Sequence, residues 1–246
     1  MNIISNKINY NTLPSTILPY IDKQNRWSSH KQILLWLDSY PPGTRVLDIG
    51  TASGTLGRLC QGKQFEIFGI EPQPIWAKHA ADYYREILVT DLEHAPDEFI
   101  KDFRVVIGAD VLEHMPDPDN ALHRLVKLQP TGSDFIISVP NIANLWVRLN
   151  LLFGKFNYTE RGILDRTHLR FFTRLTFINL LQESGLRIQN LKVTPIPLDL
   201  VNPFFESNKI GIALLDILAW FSRIFPTLLG YQWVGLATKV NHDECS

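Results

Sequence analysis

Acids that end apolar runs, small residues in alternation and histidines set beside acids are the parts of this chain spaced to do chemistry. The first group centres on Val46-Leu47-Asp48-Ile49-Gly50-Thr51-Ala52-Ser53-Gly54-Thr55-Leu56-Gly57. Val46, Leu47 and Ile49 read as a buried strand, Gly50 permits a tight turn at its carboxyl end, and a helix starts near Leu56 and stops by Gly62. Such a turn binds a nucleoside. A dinucleotide fingerprint, G-x-G-x-x-G, would need glycine where Ala52 and Thr55 stand, so the loop suits a ligand without phosphates. Phe65 to Glu71 reads as a second strand, ending in an acid about 20 residues on, from where a carboxylate can accept both ribose hydroxyls. Glu71 is therefore the ribose-clamp candidate, unless it only caps the helix after Pro72.

The histidines point to proton transfer, because imidazole titrates near neutrality. His168 lies in a polar cluster with Asp165, Arg166, Thr167 and Arg170. It is a candidate base oriented by Asp165; alternatively Asp165 and Arg170 pin the loop while His168 caps the next helix. His114, in Leu112-Glu113-His114, either packs against a bound ligand or takes the proton itself. Asp110 ends an apolar strand and meets ligand, or holds loop amides. Arg148 and Tyr158 are further candidates for lining the same region.

Positioning these groups requires an alternating fold. A helix spans Ser29 to Tyr40 and ends at Pro41-Pro42-Gly43. Strands then end at Ile49, Ile70 and Thr90 and begin again at Val105, with helices from Thr55 and from Pro74 to Tyr84. That alternation means parallel strands with crossover helices. Asp117 is a candidate N-cap with Pro118 at the first helical position, and Ala121, Leu122, Leu125 and Val126 form an inward stripe. Another helix runs from Thr173 to Gly185, and the last two strands are Arg187 to Thr194 and Tyr231 to Val240. The domain is expected over 29–246, after a polar lead at 1–28. Two insertions interrupt the alternation: 141–170, which can cover the crevice at the strand ends as a substrate lid, and 195–230, which carries an apolar helix.

Composition sets the limits. With 246 residues the chain can bury one full core. Its 24 basic and 25 acidic residues give a net charge of -1, which offers no basic face for nucleic acid. Cys60 and Cys245 make no disulfide framework and no C-x-x-C metal spacing, which fits a reducing cytoplasm. Met1 to Pro14 lacks the basic and apolar regions of a secretion signal. Ile210 to Phe225 is apolar on nearly every side, interrupted by Asp216, Ser222 and Arg223. It is too short and interrupted to span a bilayer, so it is buried under the lid, buried in a homodimer interface, or docked peripherally on a membrane.

The pattern Asp48-x-Gly50-x-Ala52-x-Gly54 resembles motif I of the class I S-adenosylmethionine (SAM)-dependent methyltransferases. The resemblance continues through Ile87 to Leu92, through Asp110-Val111-Leu112-Glu113-His114-Met115-Pro116-Asp117-Pro118, and through Ile136 to Asn141, which looks like the family's fifth strand. Gly162 to Thr173 resembles a segment of the ubiquinone-biosynthesis O-methyltransferases. Together these cover roughly Val46 to Arg187. The resemblance implies a single Rossmann-like, doubly wound, mostly parallel seven-stranded sheet with helices on both faces. It implies SAM as cofactor, with Asp91 facing the adenine and Thr51, Pro72, Leu92, Asp110 and Val111 beside the cofactor. Asn-Pro-Pro-Tyr, the signature for planar amino acceptors, is absent, and no acidic triad follows the fourth strand, so a metal-free transfer to a hydroxyl is expected. The acceptor classes are a quinone precursor, a sugar or a lipid-linked glycan. The rivals are a SAM-binding partner subunit without turnover and an NAD-dependent oxidoreductase.

Overall fold

A computed structural model describes residues 25–200, 202 and 204–241. Most of the polar lead (residues 1–24) and Cys245 lie outside the described residues.

Seven strands form one sheet: β1 (Arg45–Ile49), β2 (Glu66–Ile70), β3 (Glu86–Leu88), β4 (Val105–Ala109), β5 (Asp134–Pro140), β6 (Leu186–Thr194) and β7 (Gln232–Lys239), in the order β3-β2-β1-β4-β5-β7-β6. The first five run parallel, whereas β7 is antiparallel to both of its neighbours. The chain winds outward from β1 to β3, then returns to β4 on the other side. This puts a switch point between β1 and β4, where an open α/β sheet leaves its crevice at the carboxyl ends.

Both faces are covered, which is why β1, β4 and β5 are buried almost throughout. One face packs Leu47, Val106, Phe135 and Trp233 against α5 (Pro118–Leu128) and α7 (Arg174–Glu183). The other packs Val46, Val105 and Ile136 against α1 (Ser29–Leu37) and the helices around β2, α2 (Thr55–Leu59) and α3 (Pro74–Ala80). Local chemistry sets the helix starts. Asp117 accepts from the N–H of Asn120 at 3.1 Å ahead of Pro118, and Thr173 and Thr176 form a reciprocal capping box.

Several elements differ from the sequence reading. The helix expected to reach Tyr84 ends at Ala80 and tightens into a 3-10 turn at Ala81–Tyr83. β3 stops at Leu88, and a short α4 (Asp97–Ile100) precedes β4. Within 141–170 lies an unforeseen helix, α6 (Leu145–Leu152). The second insertion folds into α8 (Phe204–Ser207), α9 (Lys209–Ile224) and α10 (Pro226–Leu229). The expectation that this apolar helix is buried within the chain is corrected. α9 packs only through Gly211, Leu215, Ala219 and Ser222, a stripe too narrow to cover it, and leaves Ile210 66% and Trp220 56% exposed. Among the described residues no helix is long and apolar enough to cross a membrane.

Candidate functional site

The turn after β1 explains the spacing of its small residues. Gly50, Ala52 and Gly54 take φ values of 72°, 46° and 85°, so every second residue is left-handed. A side chain at Gly50 would also meet Val111 at 2.7 Å, and one at Gly54 would meet the Ala80 backbone at 2.8 Å. The turn is therefore wedged between the loop after β4 and the end of α3.

Glu71, at the end of β2, is buried and couples the turn to the next strand. It accepts a hydrogen bond from the N–H of Ala52 at 2.7 Å through Oε2, and one from Gln73 at 2.9 Å through Oε1. Burial raises its carboxyl pKa and those two backbone bonds pull it back. Pro72 follows, exposed, and Thr51 is buried against Gly69. Beneath the turn, the fully buried Asp48 accepts from the Tyr84 hydroxyl, which in turn accepts from the Gly57 N–H at 3.1 Å. Burial raises Asp48 to about 7, the Tyr84 bond works against that rise, and the neighbouring Glu71 adds to it.

Asp91 sits at the surface beyond β3. It caps His94, accepting from its N–H at 2.9 Å and pairing with its Nδ1 at 2.6 Å. Burial is the largest single influence and opposes ionisation, but the His94 contacts together outweigh it and hold the carboxyl below its ordinary range. Leu92 turns into the core.

At the end of β4, Asp110 is left-handed, with φ 58°. Its Oδ1 accepts from the Ser138 hydroxyl at 2.9 Å and from the Gln232 amide. Gln232 and Ser138, which the sequence reading missed, thus form the polar floor of the crevice. Only the pairing of β7 beside β5 brings Gln232 there, so no local signal marks it. Tyr231 was missed as well. It is partly buried against Val147, Ile163 and Leu164 of the 141–170 segment, and burial followed by the charges of Asp110 and Asp165 raises its hydroxyl to about 12.

The 141–170 segment folds back over the loop after β4. The carbonyl of Glu113 accepts from the N–H groups of Leu169 and Arg170, at 2.7 and 3.0 Å. This brings His114 and His168 edge to face, with ring centroids 4.8 Å apart. His168 Nδ1 contacts the Ile163 carbonyl at 3.1 Å and His114 Nδ1 contacts that of Thr167 at 3.2 Å. A carbonyl only accepts, so each Nδ1 carries a proton, which in a neutral ring leaves the lone pair on Nε2. Burial, then the neighbouring His114, lowers the pKa of His168. A carboxylate oxygen of the buried Glu113 and ring nitrogens of the two histidines lie within 4.8 Å of one another.

Two details of the His168 cluster are corrected. Asp165 does not orient the His168 ring; its carboxylate accepts from the N–H and hydroxyl of Thr167, at 2.9 and 2.7 Å, because the turn places those donors closer. Arg170 donates to the Pro116 carbonyl rather than pairing with Asp165, and Thr173, not His168, caps α7. Arg148 donates to the Ala143 carbonyl at 2.7 Å, and Tyr158 packs on Phe156 at the surface.

The turn and Glu71 fit SAM. A left-handed glycine turn ends β1 and a buried acid ends β2 about 20 residues on, the two features a SAM nucleoside would need at the strand ends.

A methyltransferase-domain family model matches residues 21–191. The ubiquinone biosynthesis O-methyltransferase of Erwinia tasmaniensis is 31% identical over 162 residues, which cover 61% of this chain and 64% of that protein. The Aeromonas salmonicida protein of the same name is 28% identical over 162 residues, 61% and 65% of the two chains. The chain therefore spans just under two thirds of these relatives. Among solved structures, a SAM-dependent methyltransferase from Archaeoglobus fulgidus superposes with TM-score 0.60 at 18% identity, covering 89% of this chain and 96% of that one. The magnesium protoporphyrin IX methyltransferase of Synechocystis, solved with bound SAH, gives 0.59 at 15% identity, covering 86% and 82%. At those identities the likeness establishes the fold. The family match over most of the chain, on this seven-stranded sheet, places the chain in the class I SAM-dependent methyltransferase family.

Proposed function

We propose that this methyltransferase acts on a hydroxyl of a small or carrier-linked acceptor: a quinone precursor, a sugar or a lipid-linked glycan. The observation that carries the reading is the His114–His168 pair at the crevice, with both Nδ1 protons tied to backbone carbonyls. A hydroxyl acceptor must lose its proton as the oxygen gains the methyl. An imidazole whose Nε2 is unprotonated at neutral pH supplies that step.

In this reading, bound SAM supplies a methyl on a sulfonium whose departure as a neutral thioether needs no acid. Glu71 holds the ribose hydroxyls, while Gly50, Thr51, Ala52 and Gly54 let the backbone approach the cofactor. Pro72, Asp91, Leu92, Asp110 and Val111 border it, Asp91 toward the adenine. His168 takes the hydroxyl proton through Nε2, with His114 beside it. Asp165 serves indirectly, shaping through Thr167 the loop that carries His168. The 141–170 segment is the lid, and much of the rate gain comes from positioning the acceptor oxygen in line with the methyl. The O-methyltransferase names of the relatives from Erwinia and Aeromonas support a hydroxyl acceptor.

The test is to incubate the protein with methyl-labelled SAM and extract of its own cells, then follow the label. A base-stable, ether-like methyl on a metabolite, lipid or glycan fits this reading. Label on protein amides or RNA bases, or no transfer to any acceptor while SAM still binds, overturns it.

A further inference from the structure

We propose that the two insertions together form a docking face for an anionic lipid bilayer. Nineteen of the 25 exposed large apolar side chains among the described residues fall within 145–158 or 200–228. Soluble domains scatter such residues singly, and concentration into two segments marks an interaction surface.

The helices themselves are turned the wrong way for water. α9 buries Gly211, Ala219 and Ser222 along with Leu215, and presents Ile210, Ile217, Trp220 and Ile224 outward. A helix packed for solubility does the reverse. α6 buries only Val147, while Trp146, Leu149 and Leu152 are exposed, as is Phe153 just beyond it. The two segments are joined: the side-chain amides of Asn141 and Asn144, at the start of α6, both donate to the carbonyl of Gly230, just after α10, at 2.9 and 2.8 Å.

Charge identifies the occupant. The first insertion, residues 141–170, carries five arginines and lysines against two carboxylates, in a chain whose net charge is -1. One of those carboxylates, Glu160, is paired with Arg166. In α9 the one acid, Asp216, is neutralised by Arg26, whose Nε lies at 3.0 Å, and accepts from Trp27 Nε1 at 2.8 Å. Exposed leucines and tryptophans interleaved with unbalanced cations match an anionic lipid surface, where apolar side chains enter the acyl boundary and basic ones meet the headgroups. The proposal goes beyond the hydroxyl-transfer reading and does not depend on it.

The test is co-sedimentation of the full chain with vesicles of phosphatidylcholine alone or with added phosphatidylglycerol, without acceptor. Binding is expected to be about tenfold or more tighter with phosphatidylglycerol, and to weaken as salt is raised. Trp146→Glu with Leu152→Glu, and separately Ile217→Glu with Trp220→Glu, should each release the protein from vesicles. SAM calorimetry and melting curves should stay unchanged, because all four residues are exposed. With two variants on separate helices, one that misfolds leaves the other to decide. Lys155→Glu with Arg161→Glu should remove the phosphatidylglycerol preference. Wild-type protein that stays in the supernatant with both vesicle types overturns the proposal. So does a concentration-dependent dimer that the same substitutions dissociate while vesicle binding is nil. A failure of methyl transfer leaves this result untouched, since vesicle binding is read without turnover.

Discussion

The carboxylate of Glu71 and the N–H of Ala52 are 2.7 Å apart, so the acid that ends β2 holds the turn that ends β1. Shape and charge at the nucleoside end of the site are thus one unit. Replacing Glu71 with Gln should weaken SAM binding by about 1.5–3 kcal/mol, the scale of a lost charged hydrogen bond. Calorimetry on folded protein reads this, and unchanged affinity would remove the ribose role.

Ala52 takes a left-handed conformation that its Cβ disfavours. Ala52→Gly should therefore stabilise the fold by about 1 kcal/mol, with SAM affinity retained. A lower melting temperature in that variant would mean that the side chain packs usefully. Gly50→Val, by contrast, should abolish SAM binding, since its side chain would run into Val111.

Asp48 gives the stability a pH dependence of definite sign. Its folded pKa of about 7 lies above the ordinary aspartate value of 3.8, so the folded state binds the extra proton between those values. Its contribution is fully present below about pH 4, is lost as pH rises toward 7, and changes no further above that. The span is on the order of 4 kcal/mol. Asp48→Asn should remove this slope, so denaturant titrations of both proteins from pH 4 to 8 should converge at low pH and diverge at high pH. Parallel curves would show that Asp48 titrates normally.

His168→Gln should preserve SAM binding and lower kcat by about 10²–10⁴, as for loss of a general base. Because burial and His114 lower the pKa of His168, the acid limb of the wild-type rate profile should fall below the ordinary histidine value of 6.5. If kcat is unchanged while melting temperature drops, His168 only braces the loop.

Turnover should survive EDTA, because the leaving group needs no Lewis acid. Loss of activity restored by a divalent ion would reassign Glu113, His114 and His168, whose ligand atoms lie within 4.8 Å, from proton handling to ion binding.

What could be read ahead of the structure was what residue type encodes locally. The alternation of Gly50, Ala52 and Gly54, the acid ending β2 and the cap at Asp117 all express short-range constraints, and all stand where the sequence placed them. α6 escaped because its apolar residues surround the helix and leave no stripe to detect. The partner of His168 was misjudged because it is the carbonyl of Ile163, a group every residue carries. Gln232 was invisible because strand order, not spacing, sets it beside Asp110.

The placement of β7 bears on how the protein is made. Of the seven strands this one is synthesised last, yet it lies inside the sheet between β5 and β6. Until it emerges, β5 exposes an open hydrogen-bonding edge, Trp233 is missing from the core and Asp110 lacks the amide of Gln232. A nascent chain can wind its first five strands in order, but its crevice floor is complete only once β7 has emerged. Ribosome-stalled chains ending before Gln232 should therefore be protease-sensitive and expose an aggregation-prone edge.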